Sequence, residues 1–262
     1  MKKRFLGVIL SLVLVVSSMP LHVMAADQHT HTVEDNNITF TSWSTQDGLP
    51  TTAGNYYLDT DVNLSATWTV PSGVTYLDLN GHVIRQTTDK TRVIYVPSNV
   101  TLNLCDCDTT TVHYFNKADR SAQWVLTTDV TDHSVIGGCI TGGCVENTIS
   151  SDGQWGGGGI FVEGTLNMYG GSIVGNKVVE NNSGKGKTRT VGGGVFVSGG
   201  KFNMNGGSVV GRSKCGLDDE DILTTNGVIE INLDFSVFEL ENVNREKGFV
   251  QVLGNFLCQL RI

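Results

Sequence analysis

The chain has 262 residues, with 18 Lys and Arg against 26 Asp and Glu and a formal net charge of −8, a balance that excludes nucleic-acid or anionic-lipid binding through bulk charge. Its 32 glycines stand beside only four prolines. A glycine share well above the average of about 7%, clustered beside β-branched residues, fits tight corners in a β structure and excludes a Pro-rich disordered linker.

Residues 1–25 read as a secretory signal. Lys2, Lys3 and Arg4 form its positive end. The apolar run 5–16 is too short to span a bilayer comfortably, and Val23-Met24-Ala25 is a small-residue cleavage site, with the cut expected after Ala25. Removing those three basic residues leaves 15 against 26 acidic ones, a net charge of −11. The mature chain is therefore expected to be secreted or at the cell surface, with no membrane insertion. Its length is enough for one large all-β domain. Residues 26–37 read as a polar N-terminal tail. His29-Thr30-His31 is a chelating pair, but nothing nearby in the sequence completes a site, so neither a metal nor a cofactor is expected. Residues 38–64 carry Phe40, Trp43, Tyr57, Leu58 and Val62, broken by Asp47-Gly48 and Ala53-Gly54. They predict short strands that cap the first layer of a stack.

Stacked segments follow from residue 65. Val70-Pro71-Ser72 and Val96-Pro97-Ser98 match at an offset of 26 residues. Val100, Leu102 and Leu104 alternate with Thr101 and Asn103, the period of a strand with one buried face. By the same alternation Leu77 and Leu79 point inward and Asp78 is expected on the solvent side. Between Cys107 and Val135 the period breaks, and residues 108–134 predict a hairpin-like excursion carrying His113, Tyr114, Phe115 and Trp124. These aromatics either stack on sugar rings or cover the hydrophobic flank of the stack. The strongest signal is a repeat. Gly157-Gly158-Gly159-Ile160-Phe161-Val162 returns as Gly192-Gly193-Gly194-Val195-Phe196-Val197. Thr165-Leu166-Asn167-Met168 returns as Lys201-Phe202-Asn203-Met204. Such a period means units that bury an apolar face only against their neighbours. The repeat predicts layers near 68–86, 92–107, 135–143, 157–176 and 192–211. Ile160, Val162, Leu166, Met168 and Ile173 are expected to stack under Val195, Val197, Phe202, Met204 and Val209. A second excursion, 177–191, holds Lys185, Lys187 and Arg189, a basic cluster in an exposed loop and the expected contact for an acidic glycan. Residues 212–227 read as an acidic loop, and 228–240 alternate as a strand.

The cysteines at 105, 107, 139, 144, 215 and 258 lack the paired spacing of a zinc site and read as buried free thiols, with a Cys139–Cys144 disulfide as the alternative. Hydrolysis of a glycoside needs two carboxylates at a set separation, and Asp218 to Asp221 read instead as a solvated acidic run. Gly81-His82 is half of a pectinase-like Gly-His-Gly, yet Val83 follows, and His82 reads as structural. Arg85 and Arg92 are lyase-base candidates by position only. No catalytic residue is assigned.

Asn55-Tyr56-Tyr57-Leu58, Trp68-Thr69-Val70-Pro71, the run Leu77 to Ile84, Leu102-Asn103-Leu104-Cys105-Asp106-Cys107 and the Gly-Gly-Gly-Val-Phe-Val repeats resemble the repeat domain of large secreted or wall-attached proteins of Gram-positive bacteria. The resemblance covers about residues 38–211 and implies a right-handed parallel β-helix of the pectin-lyase-like type. The expected fold is thus an all-β, right-handed parallel β-helix solenoid: an N-terminal cap over 38–64, the helix over 65–211 and an atypical segment over 212–262. The expected function is a non-catalytic, adhesin-like scaffold that meets an extracellular glycan or a host surface through Lys185, Lys187, Arg189, Tyr114 and Trp124. A polysaccharide lyase or glycoside hydrolase is the alternative, by analogy of fold alone. The chain departs from the family after Arg212, with no Leu-Pro-x-Thr-Gly motif. A truncated or frame-shifted product is the expectation there, and resequencing the locus checks it.

Overall fold

The structure, a computed structural model, describes residues 28–117, 124–131, 133–147, 156–180, 190–210, 219–225 and 228–231. It is all-β, with no helix among the described residues. The chain opens with β1 (Gln28–Val33) and β2 (Asn36–Trp43), an antiparallel hairpin. It then passes through three sheets in a fixed order. The first pass is β3 (Asn55–Leu58), β4 (Val62–Leu64) and β5 (Trp68–Thr69). The second is β6 (Val74–Asp78), β7 (Val83–Gln86) and β8 (Ile94–Val96). On the third pass β9 (Thr101–Cys105) is followed by an excursion of β10 (Val112–Lys117), β11 (Trp124–Thr127) and β12 (Ser134–Ile136). The chain then returns through β13 (Cys139–Thr141), β14 (Cys144–Asn147) and β15 (Ile160–Val162). The fourth pass is β16 (Thr165–Met168), β17 (Ser172–Val174), β18 (Lys177–Glu180) and β19 (Thr190–Ser198). The last strands are β20 (Lys201–Met204), β21 (Ser208–Val210), β22 (Asp219–Thr225) and β23 (Val228–Ile231).

The first sheet has the order β1-β2-β3-β6-β9-β16-β20-β23 and is mixed, antiparallel between β1 and β2 and parallel beyond. The second runs β4-β7-β13-β17-β21 and the third β5-β8-β15-β19-β22. The excursion forms its own antiparallel sheet, β11-β10-β12, and β14 pairs with β18.

Register follows the repeat. Ile160 and Val162 pair with Val195 and Val197. Leu166 and Met168 pair with Phe202 and Met204, and Ile173 with Val209. All ten are buried in one core that runs from Leu49 to Val209. Identical side chains also stack outside this core. Asn167 donates from Nδ2 to Asn103 Oδ1 at 2.7 Å, and Asn203 donates to Asn167 Oδ1 at 2.6 Å. Phe161 and Phe196 stack with ring centroids 5.6 Å apart. Corners between sheets use residues that close the backbone. Buried Asn176 accepts from the Gly143 N–H at 2.9 Å and donates to the Ile140 carbonyl at 3.0 Å. At Gly171, φ is +79° and a Cβ would lie 2.6 Å from Leu79 Cδ1, so only glycine fits there.

Two sequence expectations change, and a third is met over the described residues 228–231. The polar tail of 26–37 holds β1 over Gln28–Val33 and the start of β2 at Asn36, joined by the turn at Glu34-Asp35. The loop reading of 212–227 gives way over Asp219–Thr225, which pairs in parallel with β19. The strand expected after 228 adds to the first sheet in register, Ile229 beside Phe202 and Ile231 beside Met204. The secretory signal expected over 1–25 lies outside the described residues.

Candidate functional site

The site grows from two local features. The first is the corner after β6. The Asn80-Gly81 pair has φ of 48° and 78°, and the His82 N–H donates to the Leu79 carbonyl at 2.9 Å. Two successive left-handed residues closed by that bond are a tight turn of the primed type, for which Asn-Gly is the favoured sequence. The second is the β1–β2 hairpin. His29, His31 and Val33 alternate with exposed Thr30 and Thr32, and Phe40 alternates with exposed Thr39. Its inner side lies against Tyr57, Cys105, Tyr76 and Tyr169 of the first sheet. His29 sits on Tyr57 with centroids 3.9 Å apart, His31 stacks on Phe40 at 4.3 Å, and Tyr169 donates to Glu34 at 3.0 Å.

That packing covers Asp78. The sequence alternation put its carboxylate on the solvent side; it does lie on the outer side of β6, but the hairpin roofs it and its exposure is 0%. Its Oδ1 accepts from the backbone N–H groups of Asn80 and Cys107, both at 3.0 Å. Its Oδ2 lies 3.0 Å from His29 Nε2 and 3.5 Å from His31 Nδ1. Cys107 Sγ donates to Asn80 Oδ1 at 3.3 Å. His29, His31, Asp78 and Cys107 each bring one ligand-type atom to this point, all within 4.8 Å of one another. Neither nitrogen of His31 has a hydrogen-bond partner, although both are buried. Burial lowers the His31 pKa against the pull of Asp78. Desolvation first, and the Asp78 charge second, push the Cys107 thiol up to about 12, although the residue as a whole is exposed. The sequence reading found nothing to complete the His29-Thr30-His31 pair; its partners are 49 residues on, at Asp78, and further still at Cys107.

The neighbouring carboxylates hold turns. Asp61 accepts from the Val83 N–H at 2.9 Å and faces His82 Nδ1 at 3.2 Å, the structural role expected of His82. The His82 hydrogen bond is the main cause that lowers the Asp61 pKa. Asp106 accepts from the Gly81 and Gly138 N–H groups at 2.9 and 2.7 Å. Asp108 accepts from the backbone N–H groups of Thr110 and Thr111 at 2.6 and 2.8 Å.

The remaining candidates lie apart. Trp124 is buried against Val83, Cys139 and Val174, with His133 edge-on at 3.9 Å, in the manner of a residue covering the flank. Tyr114, on β10, is half-buried. Arg92 lies over the Phe161 ring, 4.4 Å from its centroid, on the third sheet, where burial lowers its pKa; Tyr95 of the same sheet donates to Glu163. Arg85 is exposed on the second sheet. Cys105, Cys139 and Cys144 are buried free thiols, so the alternative Cys139–Cys144 disulfide is not formed, and Cys107 is free and exposed. Lys185, Lys187 and Arg189 lie outside the described residues. No family profile, curated protein or solved structure matches the chain.

Proposed function

We propose that this chain is a right-handed parallel β-helix of the pectin-lyase-like type. In this reading it acts as a non-catalytic secreted or cell-surface module, adhesin-like, meeting an extracellular glycan or a host surface through its excursions. The fold part rests on the repeated passage through three sheets in one order, with identical residues in register. The functional part rests on one observation: the carboxylates around the Asn80-Gly81 corner are spent on backbone. Asp61, Asp78, Asp106 and Asp108 each accept at least one main-chain N–H. A carboxylate held in that way stabilises a turn, a role that accounts for its presence without catalysis.

Loops carry recognition because they change without disturbing the stack. The basic cluster Lys185, Lys187 and Arg189 is the contact assigned to an anionic glycan. Turnover assays on pectate, alginate and hyaluronate are expected to show no depolymerisation, and glycan capture is expected to fall steeply with salt. Reversing all three charges should abolish that capture and leave the melting temperature nearly unchanged. Reproducible depolymerisation would overturn the scaffold reading in favour of a lyase or hydrolase. Capture that survives the triple reversal would remove the loop.

A further inference from the structure

The two histidines of the N-terminal hairpin have no part in a glycan-binding scaffold, and the inference drawn from them stands independently of it. We propose that His29, His31, Asp78 and Cys107 form a four-ligand zinc site that clasps β1 of the hairpin to β6 and to the turn after β9. Two imidazoles, one carboxylate and one thiol make a borderline donor set, suited to Zn(II) and poorly suited to Ca(II) or Mg(II), which take oxygen ligands. Four protein donors close the coordination shell, the mark of a structural rather than a catalytic zinc.

The geometry is close to what the ion needs. Tetrahedral bonds of about 2.0–2.3 Å place donors roughly 3.3–3.8 Å apart. Here Asp78 Oδ2 already lies 3.0 and 3.5 Å from the two histidine nitrogens. The whole set falls within 4.8 Å, so small side-chain rotations suffice. Asp78 is oriented as a ligand is oriented. Its Oδ1 is fixed by two backbone N–H groups, which leaves Oδ2 to face the cluster. The His31 nitrogens are buried without a hydrogen-bond partner, Nδ1 standing 3.5 Å from Asp78 Oδ2, a costly arrangement that a bound cation removes. A His29–Asp78 hydrogen bond alone accounts for His29 and leaves His31 unexplained. Cys107 is exposed and gives the ion a way in. On binding, the Cys107 thiol releases its proton to water and the sulfur lone pair forms the bond to the metal.

The test uses the full chain, reduced with a non-thiol reductant and stripped with a chelator. Zn(II), Co(II) and Ca(II) are titrated separately. The expected result is one Zn(II) per chain, a higher melting temperature and slower amide exchange across residues 28–43, with no response to Ca(II). Co(II) should give a thiolate charge-transfer band. Cys107→Ser changes an exposed side chain and keeps a hydroxyl for Asn80, so the fold is retained; this variant should lose the band. His31→Ala removes a group that makes no hydrogen bond. Each variant should weaken Zn(II) binding by at least about tenfold. Absence of Zn(II) binding to the wild-type chain, or an affinity unchanged in either variant, would overturn the assignment.

Discussion

Asp108 illustrates how much a single turn carboxylate does here. Its Oδ1 takes the Thr110 and Thr111 N–H groups and the Thr110 hydroxyl, and its Oδ2 takes the Thr111 hydroxyl at 2.8 Å. These donors favour the charged form and hold its pKa well below the usual carboxylate range. The folded pKa is depressed, so the stabilisation is complete above the unfolded value of about 4 and is lost as pH falls below it. Asp108→Asn should therefore lower the urea midpoint at pH 7 and leave a shrinking difference from wild type as pH drops to 3. A difference that stays constant across that range would contradict the assignment. Asp108 also blocks change at Gly81, where an added Cβ would meet its Oδ2 at 2.8 Å. The Asn80-Gly81 turn is set locally, because the dipeptide itself favours that backbone. The roles of Asp78, Asp106 and Asp108 were not legible in the sequence, since their partners are N–H groups whose position is fixed only when the corner forms.

Among the elements, the excursion and the hairpin show opposite limits of pattern reading. A break in period located the excursion, where β10, β11 and β12 form a small antiparallel sheet, but Val135 and Ile136, read as the start of the next layer, belong to β12. Phe115 and Trp124 bury its inner side on Val83, Cys139 and Val174. Trp124→Ala leaves a cavity at that contact and should cost about 3 kcal/mol in denaturant unfolding. A cost below about 0.5 kcal/mol, the level of an ordinary surface change, would show that the ring does not hold the flank. The hairpin escaped because histidine counts as polar. His29-Thr30-His31-Thr32-Val33 alternates as cleanly as the later strands, and its aromatic rings take the apolar positions.

At the scale of the molecule, a single apolar column joins the passes. Leu102, Leu166 and Phe202 lie in register across β9, β16 and β20, each at 0% exposure. In such a stack each layer is stabilised by its neighbours. Leu166→Ala removes contacts on both sides and should cost about 2–5 kcal/mol. Hydrogen exchange should then quicken in β9 and β20 together. Loss of protection confined to β16 would mean that the layers are energetically separate.

The sequence by itself determined the layers, because strand alternation and a glycine-bounded repeat are local properties that translate directly into register. Leu166 over Phe202 and Met168 over Met204 could be written down from the offset alone. The reading of the cysteines as buried free thiols holds at Cys105, Cys139 and Cys144 and fails at Cys107, which is exposed. What lay beyond the sequence was every relation across the outer side of the first sheet. Whether Asp78 meets water depends on which segment roofs that side, and no local period encodes the docking of a hairpin. Folding the hairpin back over β6 and β9 buries the carboxylate and brings His29, His31 and Cys107 to one point. Residues far apart in the chain become ligand neighbours only through that long-range packing.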